Sequence, residues 1–182
     1  MNTKKSKAVS CFLALAAVIV LTVLDQLTKN LAVKYLMNKE PIVLWDGVFE
    51  LKYLENRGAA FGLFQGQKIF FIVSTIVIVG LLAYVYVKAP MIKRYHYLKI
   101  LITICVAGAI GNFIDRMLHG YVVDFFYFKL INFPIFNVAD IYVTCSVILF
   151  AILFLFYYKD EDDFKFLLKK AINTRENSHE QR

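Results

Sequence analysis

The sequence predicts an α-helical membrane protein, a bundle of four transmembrane helices with a small extracytoplasmic β-sheet between helices 1 and 2. Of the 182 residues, 59% are hydrophobic, well above the roughly half expected of a soluble domain. The apolar residues form four long stretches, each near the ~20 residues that a helix needs to cross about 30 Å of hydrocarbon. Between the first two stretches, apolar and polar residues alternate, which is typical of a strand on a surface.

The four stretches are predicted to be the spans of one integral-membrane domain that covers about residues 1–158. Their predicted bounds are about 8–24, 69–87, 98–118 and 138–158. A cleaved signal peptide is the alternative for the first stretch, because lysines precede it. Its apolar run is long, however, and no small-residue cleavage site follows it. We therefore interpret the first stretch as a retained helix.

The segment of about residues 38–64 is predicted to form the outer β-sheet. The strand candidates are the runs IVLW (42–45) and VFELKYL (48–54), and Asp46-Gly47 between them is a turn signal. The residues that follow are small, which allows a backbone to approach a ligand closely. The alternative for this part is a plain glycine-containing turn at the entry to the second span.

The positions of lysine and arginine predict the orientation of the spans. Positive charges precede the first span, crowd the connection between the second and third spans, and fill the tail. The connection between the third and fourth spans holds only Lys129 beyond Arg116. Both termini are therefore predicted to be cytoplasmic. The charged tail, residues 159–182, is interpreted as a cytoplasmic, solvated helix that frays and contacts anionic lipids, since no nucleic-acid-binding fold accompanies it.

Depth along the spans brings four carboxylates to one layer near the outer edge of the hydrocarbon. At 1.5 Å per residue, Asp25 and Asp115 each lie roughly 26 Å along an outward-running span. Asp140 lies roughly 27 Å from the cytoplasmic end of the fourth span. Asp124 belongs to the outer connection and can fold back to the same level. Ionisable groups at such positions are functional candidates.

Two of these carboxylates have a cation close by in the sequence. Asp25 and Lys29 are spaced i,i+4 and can pair on one helix face, while Arg116 directly follows Asp115. Scaffolding ion pairs are the favoured interpretation for both. Small residues on the third span, namely Ala107, Gly108 and Gly111, would let another helix approach it closely.

Asp124 and Asp140 are the better pair for proton chemistry, because a carboxylate held by a cation is a poor proton shuttle. Two carboxyl groups that share a site can activate a water molecule, one taking its proton and the other donating to the scissile amide. For Asp140 the alternative is a helix cap, since Asn137 precedes it by three residues. For Asp124 the alternative is a plain loop residue, which its apolar neighbours argue against.

Cysteine and histidine positions predict neither a metal nor another cofactor. No Cys-x-x-Cys pair is present, and no histidine lies near a cysteine in a ligand-like spacing. The cysteines are interpreted as small buried hydrophobic residues.

Five short motifs interrupt the apolar stretches. In order they are DQLTK (25–29), NRGAAFG (56–62), GNFIDR (111–116), GYVVDF (120–125) and FNVAD (136–140). Together they resemble the motifs of the lipoprotein signal peptidases, also called signal peptidase II. The resemblance covers about residues 18–156, and five motifs in order on four spans are far more specific than any one alone.

The resemblance implies an aspartic endopeptidase of the bacterial cytoplasmic (inner) membrane that needs no metal or cofactor. Its substrates would be prolipoproteins that carry diacylglycerol on a cysteine, cut on the amino side of that cysteine. By motif position, Asp124 and Asp140 would be the catalytic pair near the outer face. The residues that would line, orient or support the site are Asn56, Arg57, Gly58, Asn112, Asp115, Arg116, Asn137, Asp25 and Lys29. The other expected partners are membrane lipids and no nucleic acid, and a monomer is expected.

Two other classes of function remain as alternatives. A small proton-coupled transporter would use the carboxylates as a relay and would place them at the middle of the membrane, in inverted halves. A non-enzymatic assembly factor would leave the two aspartates replaceable.

Overall fold

The computed structural model describes residues 3–58, 66–160 and 162–167. The four predicted helices and the predicted outer sheet are present, so the fold class is confirmed. The elements in chain order are α1 (Thr3–Leu36), β1 (Ile42–Trp45), β2 (Phe49–Asn56), α2 (Lys68–Lys88), α3 (His96–Leu118), β3 (Val122–Phe128) and α4 (Val138–Phe156). A short 3₁₀ turn, Lys93–Tyr95, leads into α3, and another, Lys129–Ile131, follows β3. Within the described ranges, all four helices are long and apolar enough to cross a membrane.

Helix α1 is much longer than its predicted span. It has 34 residues and is therefore about 51 Å long, against roughly 30 Å of hydrocarbon. Its last turns bury Ala32 and Leu36 against Val123 and Phe125 of β3. The extension beyond the apolar stretch thus forms the support on which the sheet lies.

Strands β1 and β2 form the predicted hairpin. They pair antiparallel, with Ile42 opposite Leu51 and Trp45 opposite Phe49. Gly47 has φ +68°, a left-handed conformation that glycine adopts without steric cost, which confirms the turn expected at this position.

A third strand, β3, was not expected from the sequence. The prediction that the sheet comes only from the segment between the first two helices is therefore incomplete. β3 follows α3 and pairs antiparallel with β2, placing Asp124 opposite Leu54 and Val122 opposite Asn56. Its sequence, VVDFFYF, lacks apolar–polar alternation because its first four residues are all buried.

Helix α3 approaches α4 closely at Gly108 and α1 closely at Gly111, as the small residues of the third span predicted. A Cβ on Gly108 would collide with the Ala139 carbonyl oxygen and the Val143 side chain. A Cβ on Gly111 would collide with the Asp25 carboxylate of α1. Close helix contact at this level is what lets polar side chains from three helices meet.

The start of the tail differs from its interpretation as a solvated helix. Asp163 is buried and pairs with Arg94, and the Tyr95 hydroxyl donates to the Asp163 carbonyl oxygen at 2.8 Å. Phe164 packs against Tyr158 in the apolar cluster at this end of the bundle. Apolar side chains directly follow the acidic run of the sequence, so the segment can pack despite its charge. Residues 168–182, the rest of the tail, lie outside the described residues.

Glycine at position 108 is predicted to be required for the α3–α4 contact. We expect Gly108→Ala to lower the free energy of unfolding by about 1–3 kcal/mol, because the new methyl group overlaps α4. Thermal unfolding of the purified protein in detergent measures this. The matched control is Gly80→Ala in α2, where an added Cβ meets nothing within 4 Å. That variant should be neutral or more stable by up to about 1 kcal/mol. Equal effects of both substitutions would contradict the proposed close contact.

Candidate active site

Five elements of the fold bring polar side chains together where the sheet meets the helices. The residues are Asp25, Gln26 and Lys29 of α1, Asn56 of β2, Asn112, Asp115 and Arg116 of α3, Asp124 of β3, and Asn137 and Asp140 at the start of α4. All four predicted aspartates belong to this one network of contacts. Gln26 was not among the residues singled out from the sequence.

A buried ion cluster around Lys29 forms the base of the site. The Lys29 ammonium lies 2.9 Å from Asp25 Oδ2 and 3.0 Å from Asp115 Oδ2. It also donates to Asn112 Oδ1 at 2.8 Å. Lys29 is 3% exposed, and the two carboxylates are 0% and 2% exposed. Its three N–H groups therefore have three acceptors, and its single positive charge lies between the two buried carboxylates.

The two carboxylates of the cluster also hold backbone groups of other elements. Asp25 Oδ1 accepts a hydrogen bond from the Ala139 amide at 2.9 Å, which ties α1 to the first turn of α4. Asp115 Oδ2 accepts from the Val123 amide at 3.1 Å, which ties α3 to β3. The Gln26 side-chain amide bridges α1 to α3, donating to Asp115 Oδ1 at 2.8 Å. These bonds set the positions of the two segments that carry Asp124 and Asp140.

The predicted ion pair between Asp115 and Arg116 is wrong, whereas the Asp25–Lys29 pair is confirmed. The side chains of neighbouring helix residues point about 100° apart. Arg116 therefore points away from the side of α3 on which Asp115 lies. Asp115 pairs with Lys29 instead. Arg116 donates to the Gly58 carbonyl oxygen at 3.1 Å and lies 4.4 Å from the Phe71 ring.

Asn112 connects the ion cluster to Asp140. An ammonium can only donate, so the side-chain atom of Asn112 that faces Lys29 must be the oxygen. The nitrogen then faces the other way and donates to Asp140 Oδ1 at 2.8 Å. The amide orientation at Asn112 therefore follows from the charge of Lys29.

Asn137 and Asn56 are oriented by backbone donors in the same manner. Asn137 Oδ1 accepts from the Asp140 amide at 3.0 Å, so its nitrogen is free to donate to Asp124 Oδ1 at 2.6 Å. Asn56 Oδ1 accepts from the Gly58 amide at 3.0 Å, and its nitrogen donates to Asp124 Oδ2 at 2.9 Å. Each oxygen of the Asp124 carboxylate thus faces one amide donor.

The two carboxyl oxygens of Asp140 have different hydrogen-bond partners. Its Oδ2 accepts from the Asn137 backbone amide at 3.1 Å, completing a reciprocal capping box at the start of α4. Its Oδ1 faces Asn112. The cap expected from the sequence is therefore present, and it leaves the second oxygen directed into the network with Asp124.

Asp124 and Asp140 differ from the other two aspartates in having no cation. Within the described part of the chain, neither forms an ion pair with a lysine or arginine. Asp124 is 1% exposed. Burial, and secondly the negative charge of Asp140, raise the pKa of Asp124 to about 7, while the amides of Asn56 and Asn137 act in the opposite direction. A proton can therefore reside on this pair near neutral pH.

A cavity of about 500 Å³ opens beside the two carboxyl groups. Both Asp124 and Asp140 line it, and its other polar lining residues are Asn56, Asn112, Arg116 and Thr144. Most of the wall is apolar. Phe136 belongs to the fifth motif, whereas the sequence motifs did not indicate the others: Phe71, Phe133, Pro134, Ile135 and Ile141. They are typical span or loop residues, so no sequence pattern singled them out. An apolar group of a ligand suits such a lining.

Arg57 is not brought to the cavity. Its guanidinium pairs with Glu55 at 2.9 Å and lies 5.1 Å from the Tyr121 ring, and the side chain is 60% exposed. Gly58, in contrast, lines the cavity and holds Arg116. The rest of the second motif, residues 59–62, lies outside the described residues.

Known proteins resemble this chain over most of its length. A sequence model of the family described as "Signal peptidase (SPase) II" matches residues 17–156. A lipoprotein signal peptidase of Caldanaerobacter subterraneus is 44% identical over 145 residues, 79% of this chain and 97% of the relative. One of Streptococcus thermophilus is 40% identical over 146 residues, 80% of this chain and 92% of the relative. A solved structure described as a bacterial membrane enzyme is 32% identical with a TM-score of 0.71, covering 81% of this chain and 92% of that one.

Loss of the Lys29 ammonium is predicted to be strongly destabilising. We expect Lys29→Met to cost about 3–5 kcal/mol, because it leaves two carboxylates buried without a cation. Chemical unfolding in mixed micelles measures the loss. Lys34→Met, on an exposed position of the same helix, is the control and should change the stability by less than about 0.5 kcal/mol. A similarly small effect at both positions would show that the cluster does not hold the helices together.

The Asp124 carboxyl is predicted to titrate near pH 7. Carbon-13 NMR of the aspartate carboxyl groups, assigned with Asp124→Asn, should show a midpoint near 7 in place of the usual value near 4. Asn56→Ala should move the midpoint upward, because it removes an amide donor that stabilises the ionised carboxylate in the parent protein. Asn30→Ala, on an exposed position of α1, should leave it unchanged. A midpoint below 5, or a downward movement in Asn56→Ala, is incompatible with this environment.

Proposed function

This chain belongs to the signal peptidase II family of proteases, and on that basis we propose that it removes the signal peptide from bacterial prolipoproteins by an aspartic mechanism. The substrate carries diacylglycerol on a cysteine, and the bond cut is the one on the amino side of that cysteine. The observation that carries the proposal is the Asp124–Asp140 pair, which has no ion-pair partner in the described residues and lines the cavity.

The pair performs hydrolysis by holding one proton between its two carboxyl groups. The ionised carboxylate takes a proton from a bound water molecule, whose oxygen attacks the carbonyl carbon of the scissile amide. The protonated carboxyl donates its proton to the carbonyl oxygen, giving a neutral tetrahedral intermediate. One hydroxyl of this intermediate returns its proton to the carboxylate that donated it as the carbonyl re-forms. The carbon–nitrogen bond breaks, and the amino group of the cysteine takes the proton that the other carboxyl group took from water. The raised pKa of Asp124 supports the shared proton at neutral pH.

The three asparagines orient this pair without exchanging protons. Side-chain amides do not titrate in this pH range, so Asn56, Asn112 and Asn137 act as fixed donors. Their side-chain amides occupy one lone pair on each of three of the four carboxyl oxygens. The second lone pair of each of these oxygens remains for water and substrate. Such prior orientation reduces the reorganisation needed during the reaction.

The arrangement in the membrane follows from charge and depth. We infer that both termini are cytoplasmic and that the site lies near the outer face of the bacterial cytoplasmic membrane, because lysine and arginine cluster at the opposite end of the bundle. A diacylglyceryl group is anchored in the membrane and brings the adjacent peptide bond to the same depth. A proton-coupled carrier would instead place its carboxylates at the middle of the membrane, whereas we infer that these four share one layer near its outer edge.

Both aspartates are predicted to be essential for cleavage. Asp124→Asn and Asp140→Asn should each lower the turnover of a diacylglyceryl-modified prolipoprotein by at least about 10³-fold, because an amide can neither take nor donate the required proton. Release of the signal peptide by purified, folded protein in detergent is the measurement. Since the mechanism uses no metal, a chelator should leave turnover unchanged.

The control for this experiment is Asp46→Asn in the exposed β1–β2 turn, which should retain the parental rate. Near-normal turnover of a folded Asp124→Asn or Asp140→Asn variant would overturn the assignment of the pair. Cleavage of unlipidated precursor at the same rate as lipidated precursor would overturn the substrate class.

A further inference from the structure

Lys99 is a buried cation far from the candidate active site. It is 9% exposed and lies in α3, about 20 Å along the helix axis from Asn112. Its ammonium lies 3.1 Å from Met91 Sδ and 4.7 Å from the centre of the Tyr86 ring. No step of the proposed hydrolysis uses it.

The surroundings of Lys99 stabilise a cation but do not neutralise it. A thioether sulfur is a weak acceptor, and an aromatic face attracts a cation without carrying a charge. In residues 3–58, 66–160 and 162–167, no carboxylate forms an ion pair with Lys99. Its ionisable neighbours are the Cys11 thiol and the ammonium of Lys7, which is exposed and also without an ion pair there. Two cations therefore influence one another, and among the described residues neither has an ion-pair partner.

The Tyr86 ring beside Lys99 is held in place by two hydrogen bonds between α1 and α2. The Tyr86 hydroxyl donates to the Ser10 carbonyl oxygen at 3.0 Å. Because that bond uses the phenolic hydrogen, the Ser10 hydroxyl is the donor to the Tyr86 oxygen at 2.8 Å. The Tyr86 ring is thus fixed against the ammonium, and the position is formed by three helices together.

The depth of Lys99 follows from its position along α3. With the candidate active site at one edge of about 30 Å of hydrocarbon, a group about 20 Å along α3 from it lies about 10 Å from the other edge. Lysine side chains at such depths extend toward the headgroups, where the phosphates lie. An unpaired ammonium is costly to keep in an apolar region, and an anionic lipid supplies the missing charge.

We propose that Lys99, together with Lys7, binds the phosphate group of an anionic membrane phospholipid between α1, α2 and α3. A ligand that fits this position carries a singly charged phosphate group on an apolar chain. Lys99 contacts the phosphate from within the bundle, and Lys7 contacts it from the exposed side. This site is separate from the cavity of Asp124 and Asp140, so the proposal does not depend on the proposed function.

Titration of the purified full-length protein with fluorescent phosphatidylglycerol, in phosphatidylcholine nanodiscs, tests the proposal. Lys99→Met keeps the length of the side chain and removes its charge, so we expect about five-fold weaker binding of phosphatidylglycerol. Lys99→Arg should restore it. Lys7→Met, at an exposed position that leaves the packing intact, should weaken binding by a similar factor. The control is Lys93→Met, an exposed lysine at the same end of the bundle.

The outcomes separate a specific site from general charge attraction. Weaker binding in Lys99→Met and Lys7→Met, with Lys93→Met close to the parent, supports the site. An equal loss in all three, or parental affinity in Lys99→Met, overturns it. Inorganic phosphate is the competitor that distinguishes the two sources of the anion. Displacement of the lipid by phosphate at equal concentration would assign the site to a soluble anion and overturn the lipid proposal.

Discussion

The buried ammonium of Lys29 is the interaction on which the rest of the structure around the cavity depends. It forms ion pairs with both Asp25 and Asp115, and these two carboxylates then hold backbone amides of α4 and β3. The third acceptor of the same ammonium is Asn112, whose amide is thereby turned toward Asp140. One positive charge therefore sets both the positions of the segments and the direction of a hydrogen bond to a reacting group. Without it, two carboxylates would be buried unpaired, a cost that few membrane proteins carry.

The four aspartates of one layer have opposite environments within a short distance. Two are held by a cation and serve as fixed anions, while Asp124 and Asp140 are surrounded by neutral amides. Neutral donors set the direction of a carboxyl group without abolishing its ability to bind a proton, whereas an ammonium lowers its proton affinity strongly. The position of a single cation thus divides four residues of the same type into two that it holds and two that it does not, and the second two are the proposed catalytic pair.

Interactions between residues close in the chain could be predicted from the sequence, whereas those across the fold could not. The i,i+4 spacing of Asp25 and Lys29 and the cap of Asn137 with Asp140 depend on one helix turn each, and both are present. The strand that carries Asp124 pairs with a distant strand, and its fully buried start hides the alternation by which strands are recognised. Sequence adjacency of Asp115 to an arginine was misleading, since a helix separates neighbouring side chains. The motifs identified the polar members of the site, and the apolar wall, apart from Phe136, carried no signal of its own.

The capping box at the start of α4 makes the reacting group part of the folding of its own helix. The Asp140 carboxyl accepts a hydrogen bond from the Asn137 amide and so closes the first turn of α4. In the same turn, the Ala139 amide donates to the Asp25 carboxylate of α1. The bonds of the cap lie within residues 137–140, whereas the Asp25–Ala139 bond seats this turn against α1. Under the proposed function, activity therefore requires that α4 is docked against α1 and not only that its cap is formed.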